Sequence, residues 1–302
     1  MGNWKNLAKL SGELSELVMS VRSSTVTISG TNADLTGGGS GSGWVYDRNG
    51  HVVTNHHVIA DLAAPIRVKP SGRPELTGVV VGSDPDNDLA VVYVEGLNAE
   101  PIPIREGPAM LGELCLALGS PLGIFRESAS LGIVSGLSRQ LPTSSGGVIE
   151  EVVQTDASIN PGNSGGPLVD VGGFLLGVNA AKRTDGENIG FAISGEVVRD
   201  VVPELIRFGG VHRSTIGVSI ASTWVNVGGS DRSAISVRRV SHPDSPLQSG
   251  DVLLQIGTVK IERRYDVRKA LGRDTVGRVL QVWVERDGKT VELAVRADPR
   301  NS

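Results

Sequence analysis

Asp156-Ala157-Ser158-Ile159-Asn160-Pro161-Gly162-Asn163-Ser164-Gly165-Gly166-Pro167-Leu168 is the stretch on which the reading of this 302-residue chain turns. A serine flanked by glycines can stand on a sharp turn whose backbone N–H groups converge on one spot, as a tetrahedral oxyanion requires. Gly162, Asn163 and Ser164 are the candidate oxyanion loop, with the amides of Gly162 and Ser164 as its donors. The same letters satisfy Gly-x-Ser-x-Gly, the nucleophile elbow of α/β-hydrolases. Context rejects that elbow. It joins a strand to a helix and its histidine follows the serine, whereas Ser164 leads into glycine-rich β-type sequence and only His212 and His242 lie downstream.

Upstream, Gly43-Trp44-Val45-Tyr46 and His51-Val52-Val53-Thr54 read as a hairpin around Asn49-Gly50, followed by Asn55-His56-His57-Val58-Ile59. Further along, Ser83-Asp84-Pro85-Asp86-Asn87-Asp88 places a carboxylate directly before the apolar strand Leu89–Val94. Burying Asp88 is costly unless it accepts hydrogen bonds from a partner such as an imidazole. Asp84 and Asp86 are expected to be solvated turn carboxylates beside it. The chain order is then His, Asp, Ser, which among the known triad orders belongs to the chymotrypsin-type double β-barrel. Sequence alone does not separate His56 from His57 as the base.

Composition agrees with a mainly β fold. Forty glycines, about 13% of the chain, are roughly twice average usage and suit short strands and tight turns. With 29 basic and 33 acidic residues and a net charge of −4, no basic face announces nucleic acid. The lone cysteine, Cys115, excludes an internal disulfide and any multi-thiolate metal site. His51, His56 and His57 are spaced unlike common zinc ligands, so neither a metal nor a cofactor is expected. Gly37–Gly43 lacks the Gly-Lys-Ser/Thr ending of a phosphate loop and is expected to be a flexible loop.

Three regions follow from the pattern. Residues 1–22 carry Leu7, Leu10, Leu14 and Leu17 at amphipathic helix spacing between charges, without an uninterrupted apolar run. Residues 23–210 alternate short β-type runs with turns and end in a helical face of Val197, Val198, Val201, Val202, Leu205 and Ile206, stopped by Gly209-Gly210. Pro203 is expected to kink or interrupt that helix. Residues 211–302 contain further strands, a short helix around Tyr265–Leu271 and an Asp287-Gly288 hairpin turn, enough for an independent module. No run approaches the length of a membrane span, and no signal peptide is visible, which reads as cytoplasmic for the chain as given and as periplasmic or otherwise extracytoplasmic for a trimmed one.

Thr54-Asn55-His56-His57-Val58-Ile59, Asp84-Pro85-Asp86-Asn87-Asp88-Leu89-Ala90-Val91 and Gly162-Asn163-Ser164-Gly165-Gly166-Pro167-Leu168 resemble the three triad motifs of the HtrA/Deg serine proteases. The second module resembles a PDZ domain. Ser214-Thr215-Ile216-Gly217-Val218 matches its carboxylate-binding loop and Ser249-Gly250-Asp251-Val252-Leu253 its Gly-Asp core strand, with the segment before that turn shortened to His242–Gln248. The resemblance implies a trypsin-like protease domain followed by a PDZ domain, with His57 as base, Asp88 as its orienting partner and Ser164 as nucleophile. It implies a small apolar specificity pocket built from Ile159, Ala180, Ala181 and Ile189, with Ser158 standing where enzymes that cut after Lys or Arg carry an aspartate. It further implies a homotrimer, unfolded polypeptides as substrates, and C-terminal peptides held by the amides of Thr215, Ile216, Gly217 and Val218. The function so implied is an endopeptidase of protein quality control or processing. The competing class is a peptide-binding or chaperone-like scaffold that keeps the triad but turns over little substrate.

Overall fold

A computed structural model describes residues 4–32, 37–119, 128–142, 148–182, 189–227 and 230–300. The chain divides into two compact units, residues 1–210 and 211–302. The first begins with α1 (Lys5–Ser23). Its strands are β1 (Thr25–Thr31), β2 (Gly38–Val45), β3 (His51–Thr54), β4 (Ile66–Pro70), β5 (Leu76–Asp84) and β6 (Leu89–Val94), then β7 (Leu114–Gly119), β8 (Ser128–Pro142), β9 (Val148–Thr155), β10 (Pro167–Asp170), β11 (Leu175–Lys182) and β12 (Gly190–Ser194). Two closed six-stranded barrels result, in the orders β1-β2-β3-β6-β5-β4 and β10-β11-β12-β9-β8-β7. This is the chymotrypsin-type double barrel expected from the triad order.

Each barrel is filled from its inward residues. Val26, Ile28, Val52, Val68, Ala90 and Val92 pack the first, and Cys115, Ala117, Val134, Val153, Ile159 and Leu168 the second. The glycine-rich run expected to be a flexible loop is instead β2. A Cβ at Gly41 would approach Val58 to 2.7 Å and the Ser164 carbonyl to 3.1 Å, and one at Gly43 would approach Val52 to 2.8 Å, so β2 is glycine-rich where neighbouring atoms leave no room for a side chain. The helix α3 (Gly195–Phe208) buries Val197, Val198, Val201, Val202 and Leu205, each contributing about 1.5–3 kcal/mol. Ser194 caps its start and Gly209, in the left-handed region, ends it. Pro203 does not interrupt α3, because Val198, Val201 and Val202 before it and Leu205 after it are buried and hold the helix in place.

Residues 1–22 form most of α1. Its last turns pack on the barrel, with Val21 buried and Leu14, Leu17 and Val18 half-buried, while Trp4, Leu7 and Leu10 are 67%, 59% and 47% exposed.

The second unit contains β13 (Ser214–Thr215), β14 (Val218–Val227), β15 (Ser230–Val240), β16 (Val252–Ile256), β17 (Val259–Lys260), α4 (Arg264–Ala270), β18 (Val279–Arg286), β19 (Lys289–Arg296) and β20 (Asp298–Pro299). Its main sheet runs β14-β15-β16-β18-β19, leaving β14 with one unpaired edge. Ile216, Ile235, Leu253, Val267, Leu271 and Val282 lie at its core. Asp251, 1% exposed, is gripped by a two-pronged Arg286 contact at 2.7 Å on each oxygen and accepts the Gln248 N–H, which pins the shortened segment ahead of β16.

Candidate active site

The site assembles from strand register. β3 pairs with β6 so that Thr54 faces Ala90, and the chain just past one strand meets the chain just before the other. There the short helix α2 (His56–Ile59) brings His57 to Asp88: Nδ1 lies 2.7 Å from Oδ2, and the His57 N–H donates to Oδ1 at 2.9 Å. The Asp88 carbonyl accepts from the His56 N–H and the Asn55 side chain, holding a backbone with φ of 52°. Asp88 is 13% exposed and His57 48%. A carboxylate on Nδ1 places the ring proton there and leaves Nε2 as the acceptor. His56 makes no contact with this carboxylate; its Nδ1 is buried without a partner among the described residues.

Asp84, expected to be a solvated turn carboxylate, is buried. It accepts from the Asp86 and Asn87 N–H groups and from the Asn87 side chain, so it builds the turn that presents Asp88.

Ser164 stands three residues before β10, where Pro167 pairs with Val178 and Leu168 with Ala117. Both barrels clasp this turn. Ser42 of β2 donates its N–H to the Ser164 carbonyl at 2.8 Å and its hydroxyl to the Gly162 carbonyl at 2.6 Å. From the other side the Gly165 N–H reaches the Asn179 carbonyl at 2.8 Å, and the buried Asn179 amide donates to the Leu118 and Pro167 carbonyls. Gly165 has φ of 83°, and a Cβ there would collide with the Ser42 carbonyl and Thr54 Oγ1. The turn is thus held against β2, with Gly165 close to Thr54 and Asn55, the residues just ahead of the His57–Asp88 pair.

In the candidate oxyanion loop Gly162 has φ of 100°. The Asn163 N–H is spent on the Asn160 carbonyl at 2.9 Å, leaving Gly162 and Ser164 as the two amides with no acceptor among the described residues. The Ser164 hydroxyl donates to the Ala180 carbonyl at 3.1 Å rather than to His57. That carbonyl is aimed inward by a bulge, since Asn179 faces Ala192 and Ala181 faces Phe191, with Ala180 the extra residue between.

Of the residues expected to line the specificity pocket, Ile159 and Ala180 are buried and Ile189 half-buried; the Ala181 side chain lies outside the described residues. A Cβ on Gly190 would come within 2.9 Å of Ile159 Cδ1, so little space separates the two walls. In the second unit Ser214 and Thr215 lie in β13 and Val218 begins β14, so Ile216 and Gly217 form the connection between them, with the Gly217 N–H donated to Thr215 Oγ1 at 3.1 Å. Sequence reasoning missed the roles of Ser42, Thr54, Asn55 and Asn179. The glycine spacing of β2 was the available signal for a close approach. Among the described residues no group of three or more His, Cys, Asp or Glu could hold a metal.

A double barrel with a His–Asp pair and a glycine-flanked serine turn is the architecture of the trypsin-like serine peptidases, and the family comparison agrees: a trypsin-like peptidase domain matches residues 41–178 and a PDZ domain residues 216–296. HhoB of Synechocystis sp. is 33% identical over 289 residues, covering 89% of this chain and 68% of the relative. Protease Do-like 1, chloroplastic, of Arabidopsis thaliana is 33% identical over 291 residues, covering 87% and 64%. The solved structure of the HtrA-type protease AlgW with a tripeptide superposes with a TM-score of 0.78 at 29% identity, over 95% of this chain and 97% of that one. The chain belongs to the HtrA/Deg family of serine proteases with a PDZ domain. It spans 54–68% of the length of these and similar curated relatives.

Proposed function

We propose that the protein is a serine endopeptidase that cleaves unfolded polypeptides through an acyl-enzyme, in protein quality control or processing. Ser164 attacks the peptide carbonyl, His57 Nε2 takes its proton and returns it to the leaving amine, Asp88 holds the imidazole tautomer, and the Gly162 and Ser164 amides receive the oxyanion. The observation that carries this reading is the 2.7 Å contact of His57 Nδ1 with Asp88 Oδ2 beside a serine turn clasped by both barrels. Because the Ser164 hydroxyl rests on the Ala180 carbonyl, attack begins with its rotation toward His57. Turnover of casein by the wild type and its absence in Ser164→Ala test the reading. Equal, negligible turnover in both would favour the peptide-binding or chaperone-like scaffold.

The pocket favours a small aliphatic residue before the scissile bond, as Ile159 and Ala180 are buried apolar walls and Ser158 supplies no charge for Lys or Arg. Discrimination by a methylene or two is worth about 1–3 kcal/mol, so the preference is graded. Mass spectrometry of casein fragments reads it directly, and cuts mainly after Lys, Arg or Phe would reject the pocket. The exposed Trp4, Leu7 and Leu10 on α1 support a homotrimer with this face between subunits, for which a concentration-independent monomer in light scattering is the opposing result. The second unit binds C-terminal peptides along β14 and regulates the protease. No helix of the described residues is long and apolar enough to cross a membrane. Relatives named chloroplastic or periplasmic support an extracytoplasmic site of action.

A further inference from the structure

The open edge of β14 carries a contact that peptide binding would have to break. In antiparallel pairing, alternate residues of an edge strand direct both N–H and C=O away from the sheet. Ser241 donates its N–H to the Gly217 carbonyl at 2.7 Å, while Val237 bonds through N–H and C=O to Asp251 and Gly250 on its other side. Val218 stands opposite Val240 and Ile220 opposite Val237, so the main-chain groups of Val218 and Ile220 face the free edge. Across that edge lies α4. At one end Ser214 donates its N–H to the Leu271 carbonyl, tying the helix to the loop Thr215–Val218. Near the other end Arg264 Nη1 donates to the Ile220 carbonyl at 2.7 Å. Between them the floor is apolar, with Ile216, Val267 and Leu271 buried and Val218 and Ile220 packed against them.

An extended peptide whose terminal carboxylate sits in the loop would bond Val218 first and Ile220 two residues further back. Side chains two apart share a face of a strand, so with the terminal side chain in the apolar floor, the side chain two residues before it faces α4 at Arg264. The Ile220 carbonyl that this strand needs is occupied by the guanidinium.

We propose that Arg264 latches the empty groove, and that the ligand opening it is a C-terminal peptide with an apolar last residue and an aspartate or glutamate two residues before the end. The carboxylate takes the guanidinium in a charge-assisted bond, stronger than the bond to a neutral carbonyl, and frees the Ile220 carbonyl for the incoming strand. This inference rests on reading the second unit as a peptide groove.

The test is fluorescence anisotropy of labelled decapeptides ending in valine, with Asp, Ala or Lys two residues before it, titrated with full-length protein carrying Ser164→Ala to prevent digestion. The expected result is about tenfold tighter binding of the Asp peptide than of the Lys peptide, a difference of about 1.4 kcal/mol. Arg264→Glu should invert that order. Arg264→Ala should erase it and tighten the Ala peptide relative to wild type, with circular dichroism unchanged in both variants. Equal affinities of wild type for all three peptides, or an order that survives Arg264→Glu, would overturn the role of Arg264 while leaving the groove standing. Absence of saturable binding in both wild type and Arg264→Ala would overturn the groove and this inference together.

Discussion

The serine turn and the peptide groove are built to opposite standards. Around Ser164 the main chain is bonded into both barrels, through Ser42 on one side and Asn179 on the other, and glycines stand where a methyl group would strike backbone. On β14 the edge that would receive a peptide pairs with no strand among the described residues and holds the Arg264 side chain on the Ile220 carbonyl. Chemistry that depends on fixed donors needs the first arrangement, because an oxyanion hole contributes only if its dipoles are already in place. Recognition of a varied ligand needs the second, because an edge kept open can exchange partners at small cost. Substitutions in the turn should therefore act steeply, and substitutions in the groove by degrees.

The largest effects should come from the reacting groups. Ser164→Ala, His57→Ala and Asp88→Asn are each expected to lower kcat on casein by about 10⁴-fold or more with the fold retained, and a Ser164→Ala/His57→Ala pair should lose little beyond either alone. His56→Ala, whose ring lies off the Asp88 carboxylate, should stay near wild type; a loss equal to that of His57→Ala in a folded protein would move the base to His56.

The clasp comes next. Gly165→Ala puts a methyl group against the Ser42 carbonyl and Thr54 Oγ1 in a left-handed backbone, and should cost about 3 kcal/mol of stability together with nearly all activity, read by thermal melting and casein turnover. Tolerance of this change would show that the turn is less fixed than its contacts imply. Asp251→Ala asks whether the second unit is equally rigid away from its groove. Removing the carboxylate gripped by Arg286 should cost about 3 kcal/mol, and a negligible shift in unfolding would set the whole unit apart as soft.

Smaller still, Ser42→Ala removes the hydroxyl that holds the Gly162 carbonyl and should lower kcat about tenfold with KM little changed, since a lost hydrogen bond to a buried group costs about 1–3 kcal/mol. A KM effect alone would assign Ser42 to substrate binding instead. The mildest prediction concerns Cys115. Burial pushes its thiol from an ordinary 9.0 up to about 11, against the opposing effect of its hydrogen bond with Thr155. Its neutral form is thus favoured in the fold, a contribution fully present below pH 9 and lost as the pH rises toward 11, because the unfolded thiol ionises first. Cys115→Ala should flatten this alkaline fall in stability, and native protein should resist thiol reagents at pH 8.

Local chemistry made much of this molecule legible in its sequence. The glycine-flanked Ser164, the paired histidines after a strand and Asp88 before another are short-range patterns, and their order along the chain pointed to two barrels. α3 and the Asp287-Gly288 turn were visible for the same reason, since helical periodicity and turn residues act over a few positions. What the sequence could not decide depended on partners far away in the chain. Gly37–Gly43 reads as a loop until Val58 and Ser164 press against it, and then it must be a strand. Asp84 reads as a surface carboxylate until three donors close around it. Pro203 reads as a break until the valines before it and Leu205 after it are anchored. Asn179 carries no signal at all and Ser42 only the glycine spacing around it, because a single buried polar residue takes its meaning from the carbonyl it meets. Arg264 is alike: its charge is written in the sequence, but its place over the Ile220 carbonyl follows from where α4 lies against the open edge of β14.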